Sequence, residues 1–451
     1  MPRELPGLYF DTVRQRYFPL AQRPAGATTT TTTATTAASA PRQPQQHKSE
    51  QQQSPRAALK RRRAPLWDSS RALRNARSFA ERERAVHNAQ CLEYAHTSVV
   101  EQCKIPVFHP IRSFCSTTWG GQRYSFIGDS DGWLYSQGKY AWEIELNIHP
   151  RTEISSICAS GSLCVATSSG PSTKISVQDL STAGRTSLLT LNNVYDVRCS
   201  HLSGSSLVLG AAKQAVYLPD IANPTFQYLP THSDVYAVER EQDLIYTGAR
   251  NGSIHRFDMR MHKPMGDILF PDREPSNVVN LRVIRETQLL VNHRNGLIAA
   301  YDLRFPREST PVMTYSGQVP SHYTLGFAVD PAQDFVFAAG DDRRIRAWSL
   351  RSGELLDPGP GQKAAGDDDD GCARGYARAG ATAADDLEEM PIDVPTGELP
   401  VRARGNPFRT VFPDRVATMQ VAEEEETGER VLWATSAGVL YRYGLGQRYV
   451  G

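Results

Sequence analysis

Two short runs carry chemistry a partner could use: Asp258-Met-Arg260 and Asp302-Leu-Arg304, preceded by Phe257 and Tyr301. A guanidinium presents a planar fork of donors that matches a carboxylate or backbone carbonyls in two-point fashion. Desolvated by a partner, such a fork becomes an interface anchor. A third run, Trp348-Ser-Leu-Arg351, repeats the pattern with Ser349 where the acid would stand. Asp258, Arg260, Asp302, Arg304 and Arg351 are therefore the candidate partner-binding residues. The competing reading is solvated surface arginines, and the aromatics themselves read as packing residues.

No catalytic constellation accompanies them. The chain has no P-loop, G-x-S-x-G, H-E-x-x-H or dinucleotide fingerprint in a strand–turn–helix context. His109, His149, His201, His232 and His293 are scattered near expected turns and read as hydrogen-bonding groups within the fold. Cys158 and Cys164 read as small core residues. The expectation is a protein that is not an enzyme and carries neither cofactor nor metal. Seven cysteines without a C-x-x-C pair fit a reducing compartment. A net charge of +1 argues against wholesale attraction to nucleic acid or membrane. No apolar run approaches the length of a membrane span, and no leader pattern is visible, so a soluble intracellular protein is expected.

The elements that position the arginines recur with a period. Val235-Tyr-Ala-Val, Leu244-Ile-Tyr-Thr-Gly, Arg250-Asn-Gly252 and Phe257-Asp-Met-Arg260 make one unit. Val278-Val-Asn-Leu, Leu289-Leu-Val, Arg294-Asn-Gly296 and Tyr301-Asp-Leu-Arg304 make the next, and Phe327 to Arg351 a third. Each unit reads as an inner strand, a buried apolar strand, a tight hairpin and a third strand ending at the aromatic. Weaker copies precede these units, and a last one runs from Val416 to Tyr443. Unit starts near 112, 153, 194, 235, 278 and 324 have the period of a four-stranded propeller blade. A seventh start near 412 follows an acidic insert. Seven units close a ring without capping repeats, so the expected fold is an all-β seven-bladed WD-repeat propeller with an N-terminal helical or disordered extension.

That propeller is expected over residues 108–451, with a disordered acidic insert at about 353–404 carrying Asp367 to Asp370. Residues 1–20 form an aromatic, loop-like motif. Residues 21–66, rich in Thr, Ala, Gln and Pro, lack the apolar side chains needed to offset ordering entropy and are expected to be disordered. They end in Lys60-Arg61-Arg62-Arg63, read either as a nuclear-import signal or as a solvated charge run. Residues 67–100 look helical. Leu73, Ala76, Phe79, Ala80 and Val86 form a thin apolar stripe expected to dock on the propeller or in a partner's groove.

Aromatic-Asp-x-Arg in tandem WD repeats resembles the substrate receptors of cullin-4 RING ubiquitin ligases. The chain resembles in particular the factor-four type of cullin-4-associated factor. Leu5-Pro-Gly-Leu-Tyr-Phe-Asp with Arg16-Tyr-Phe, the two Arg-Asn-Gly to Asp-x-Arg units, Ile345-Arg-Ala-Trp-Ser-Leu and Leu440-Tyr-Arg-Tyr carry the resemblance. Phe257 and Tyr301 stand where the family usually has Trp. The resemblance implies a bridge, nuclear or cytoplasmic. The face bearing Arg260 and Arg304, with the 68–96 helix, would bind the ligase adaptor, and the opposite face or channel rim an unknown protein substrate. The alternatives are a propeller scaffold in chromatin or RNA-processing machinery, and nucleic-acid binding through the arginine-rich 56–84 segment, which few aromatics interleave.

Overall fold

The computed structural model describes residues 8–11, 16–19, 79–137, 142–182, 185–271, 275–356, 401–424 and 428–449. The expectations for 21–66, for Lys60–Arg63, for Leu73 and Ala76, and for most of the acidic insert fall outside these residues. Residues 1–63 and 64–451 form separate units. In the first, Leu8–Asp11 and Arg16–Pro19 pair as an antiparallel ribbon, with Phe10 opposite Tyr17. The motif read as loop-like thus contains extended backbone, which its aromatic residues favour.

The second unit is a seven-bladed β-propeller preceded, among the described residues, by one helix, Phe79–Ala95 (α1). The innermost strands of the blades begin at Ile111, Ile154, Cys199, Val235, Val278, Phe327 and Thr418. Blades one to five are four-stranded meanders in chain order, and blade six has three strands with a single bridge from Trp348 to Leu355. The second strands are the apolar runs seen in the sequence. Ser206–Ala211 and Phe335–Ala339, for example, are buried along their whole length. Phe257, Tyr301 and Trp348 are also buried, in the packing role assigned to them.

Blade seven closes the ring. Its inner three strands are Thr418–Glu423, Arg430–Ser436 and Val439–Gly444, and its fourth is Val99–Lys104, which precedes blade one in the chain. Val100 lies opposite Tyr443 and Cys103 opposite Leu440. A fifth strand, Val401–Arg404, adds outside it. The propeller therefore begins at Val99, and strand structure occupies the end of the 353–404 stretch. Neither short strand shows a hairpin of its own in the sequence, because each pairs with chain about 300 residues away or more. Gln420 ties the seam to blade one: its Oε1 accepts from Ser116 N at 2.7 Å and its Nε2 donates to Ser116 O at 2.8 Å. Arg442 bridges Glu101 and Glu424 across the same blade.

Adjacent blades meet where a side chain is missing. Gly128, Gly210 and Gly248 are the penultimate residues of the second strands of blades one, three and four. A Cβ on each would overlap the first β-branched residue of the next blade's inner strand, Ile154, Val235 and Val278 respectively. In the following hairpins Gly252 and Gly296 both take φ +87°, the left-handed backbone that an Asn-Gly turn requires. Among the described residues no helix is long and apolar enough to cross a membrane.

Gly248→Ala pushes a methyl into Val278 at the blade-four to blade-five seam. The expected cost is about 1–3 kcal/mol, the usual range for overpacking a filled interface. A urea titration should show a lower midpoint with an unchanged slope.

Candidate functional site

Asp258 ends the third strand of blade four, and Arg260 lies in the turn that follows. The Arg260 N–H donates to Asp258 Oδ1 at 3.0 Å. Its Nε donates to the same oxygen at 2.9 Å and its Nη2 to Oδ2 at 2.5 Å. Blade five repeats the arrangement. Arg304 N and Nε reach Asp302 Oδ1 at 2.9 and 3.0 Å, and Nη2 reaches Oδ2 at 2.6 Å. Each acid is thus a clamp that fixes its own arginine by backbone and fork together. The arginine side chains remain 69% and 66% exposed.

Hydrogen bonds from the Arg260 side chain and backbone hold the Asp258 carboxyl at about 2, with Arg256 adding to the effect. Asp302 is lowered by the same bonds from Arg304. Exposed apolar groups flank the pair. Phe305 lies under the Arg304 guanidinium at 5.9 Å, and Met261 and Met265, which follow Arg260 in the chain, are exposed. This is a mixed surface of charged forks and soft apolar side chains, the composition favoured at protein interfaces.

Arg351 is held differently. Its N–H donates to the Ser349 hydroxyl at 3.2 Å, and its Nε reaches across to Asp334 at 2.8 Å. Ser349 is buried and also bonds His87 Nε2 of α1 at 2.6 Å. The residue that replaces the third aspartate is therefore where the helix attaches. His87 stacks on Phe335 at 5.3 Å and Tyr94 packs on the same ring at 4.8 Å. Arg430 donates to the Tyr94 hydroxyl at 2.9 Å and pairs with the buried Asp330. The helix docks on the propeller, but not through the face expected from sequence. Phe79, Ala80 and Val86 are exposed, and the contact runs through His87, Cys91, Tyr94 and Ala95. Hydropathy alone hid this face, because two of its anchors work through polar atoms.

The histidines read as structural take hydrogen-bonding or ion-pair roles where partners are seen. His149 meets the Ser168 hydroxyl and His293 the Ser276 carbonyl. His201 joins Glu239, which also pairs with Arg282 at 2.9 Å, so three inner strands of blades three, four and five are linked. Burial would raise the Glu239 carboxyl, but Arg282 and His201 together leave it lowered. The sequence reading missed this network because its members are about forty residues apart and belong to no motif. Burial pushes Cys158 up to about 11 and Cys164 well above the usual thiol range, consistent with inert core thiols. No group of three or more His, Cys, Asp or Glu that could hold a metal ion occurs among the described residues.

At the other end of the strands, a cavity of about 480 Å³ opens between blades one, six and seven. Phe108, Arg112, Tyr323, Arg415 and Thr435 line it. The Arg415 guanidinium lies 4.4 Å over the Tyr323 ring and pairs with Asp341. Thr435 is fully buried there, and its hydroxyl has no hydrogen-bond partner.

Comparison with known proteins gives the same picture. No family model matches the chain. It is 31% identical over 160 residues to DDB1- and CUL4-associated factor 4-like protein 2 of Homo sapiens, a stretch covering 35% of this chain and 40% of that one. It is 30% identical over 118 residues to DDB1- and CUL4-associated factor 4 of Bos taurus, covering 25% and 23%. An uncharacterized WD repeat-containing protein of Caenorhabditis elegans is 31% identical over 117 residues, covering 25% and 21%. The chain thus spans less than half the length of the curated relatives it matches. The resemblance to factor-four-type cullin-4-associated factors holds in these relatives. The crystal structure of the WD40 β-propeller domain of Doa1 superposes with a TM-score of 0.51 at 12% identity, over 76% of this chain and 97% of that one, which establishes the fold.

Two measurements test these contacts. A carbon-13 titration of the Asp258 carboxyl should have its midpoint near 2, and Arg260→Ala should return it towards the ordinary value of 3.8. The second concerns His87, whose imidazole is lowered from 6.5 by burial first and by Arg351 next. The unfolded chain then takes up the proton more readily, so the docked state loses stability as pH falls below 6.5. The protection of amides in 79–95, taken relative to their intrinsic exchange rate at each pH, should fall between pH 7 and pH 5, and His87→Gln should flatten that dependence.

Proposed function

We propose that this chain is a non-catalytic substrate receptor that bridges the adaptor of a cullin-4 RING ubiquitin ligase to a target protein. The observation that carries the proposal is the pair of Asp-x-Arg clamps on adjacent blades, Asp258–Arg260 and Asp302–Arg304. Their arginines are exposed and oriented by their own acids, and the chain that follows them carries exposed Met261, Met265 and Phe305. The names of two relatives, each called a DDB1- and CUL4-associated factor, support the same reading. Arg351, tied to Asp334 beneath the helix, belongs to the border of that face.

The cavity between blades one, six and seven, at the other end of the strands, is the site offered to the target. Such a receptor makes and breaks no bond. It holds its target near the ligase's transferring module and raises its effective concentration there.

A pull-down of the cullin-4 adaptor tests the proposal with wild type and with Arg260→Ala/Arg304→Ala. An arginine at the centre of an interface contributes about 2 kcal/mol or more, so each loss should weaken binding roughly thirtyfold. Circular dichroism should be unchanged, because both side chains are exposed. Failure of the folded wild type to bind the adaptor sinks the proposal.

A further inference from the structure

The turn that carries the blade-five clamp also holds a hydroxyl that the proposed bridge does not use. Thr310 and Pro311 lie between the third strand, which ends at Asp302, and the fourth, Met313–Tyr315. Both are exposed, as are Arg307, Glu308 and Val312 around them.

The turn is anchored on either side of this step. Phe305 N donates to Asp302 O at 3.1 Å, and Glu308 N to Phe305 O at 3.0 Å. Phe270 N, just past the last strand of blade four, donates to Pro306 O at 2.7 Å. On the return, Val312 N donates to Ala300 O at 2.8 Å. Thr310 is thus presented on a short span between fixed points. The proline after it disfavours helical backbone and holds the threonine extended. An exposed, extended Thr-Pro step is what a proline-directed protein kinase takes into its cleft.

The position of the step gives its modification a consequence. Met313 stands opposite Ala300. Counting three residues back along the returning arm and three forward along the outgoing arm brings Thr310 level with Leu303, the neighbour of Arg304. Asp302 engages Nε and Nη2 of Arg304, and Nη1 takes no part in the clamp. A phosphothreonine carries nearly two negative charges and three acceptor oxygens. Beside the fork, it competes for the guanidinium and repels any carboxylate that a partner brings there.

We infer that Thr310 is a phosphorylation site for a proline-directed kinase, and that its phosphate closes the blade-five half of the docking face. The inference rests on the docking role proposed for the clamps. In the reaction Thr310 Oγ1 attacks the γ-phosphorus of ATP and the bond from that phosphorus to the bridging oxygen breaks. ADP leaves, and the hydroxyl proton passes to the kinase's base. The modification acts on the free chain, because a partner on this face covers the turn.

The experiment treats the full chain with a purified proline-directed kinase and ATP and maps the product by tandem mass spectrometry. Thr310 should be modified, and Thr310→Val should lose that phosphate. The next readout needs no adaptor. In a carbon-13 titration the Asp302 carboxyl should rise in the modified chain, because the phosphate repels it and draws on Arg304. Asp258, on blade four, should move less. The last readout is a pull-down of the cullin-4 adaptor over a concentration series. Like charge facing like should weaken binding of the modified chain about tenfold or more. Kinase-treated Thr310→Val should bind as untreated wild type does. The inference is overturned if the kinase leaves Thr310 unmodified, if Asp302 titrates alike in both chains, or if the modified chain binds the adaptor as well as the unmodified one. Failure of untreated wild type to bind is a different result. It removes the bridge and with it the switch, while the mass spectrum and the Asp302 titration still decide whether Thr310 is modified and reaches the clamp.

Discussion

The pairing of Val99–Lys104 with Val439–Gly444 is the constraint on which the rest of the molecule depends. A meander of blades leaves a raw edge at each end, and an exposed edge is both an energetic loss and an aggregation hazard. Borrowing a strand from before blade one covers the last blade and shuts the ring. Closure in turn fixes how neighbouring blades meet, with Gly248 drawn against Val278 and Gly128 against Ile154. Those contacts bring equivalent turns of blades four and five side by side. The seam also places α1, because Val99 follows the helix by only a few residues and Thr97 Oγ1 accepts from Gly446 N at 2.9 Å.

On that frame the Asp-x-Arg clamps do little for stability. Ion pairs with side chains as exposed as Arg260 and Arg304 are screened by water and salt and contribute at most a fraction of the folding free energy. What the clamps supply is order. A free arginine loses rotamer freedom when a partner immobilises it, and one already held at Nε and Nη2 loses less. The acids keep their charge far below neutral pH because the arginines stabilise the carboxylates, so the clamps stay set under all physiological conditions. Met261, Met265 and Phe305 add apolar area that a partner could cover.

How much of this was legible in the sequence depended on the range of the interaction involved. The blades were legible because apolar runs, Asn-Gly turns and buried aromatics act within forty residues, and each inner strand starts within six residues of the position read from the repeat. The clamps were legible for the same reason, since acid and arginine are two residues apart. The seam strand was not, because its partner lies over 300 residues away and its alternation is that of any half-buried segment. The helix was visible as a helix, yet its buried face was misjudged. Val86 and Phe79 look like anchors by hydropathy, whereas His87 and Tyr94 dock through a hydroxyl, an arginine and the Phe335 ring. The Glu239 network was invisible for want of any local signal.

Blade six shows why the proposed docking face has a boundary rather than running on around the ring. An aspartate at 349 would fix Arg351 as its counterparts fix Arg260 and Arg304. It would also set a carboxylate against His87 and leave the helix to desolvate that charge, a cost that neutral Ser349 avoids. Serine instead accepts the Arg351 N–H and bonds the imidazole, and Arg351 turns to Asp334. The departure that seemed to weaken the sequence pattern is thus the condition for seating α1. With the helix seated there, the clamps of blades four and five are bordered on one side by a fixed element.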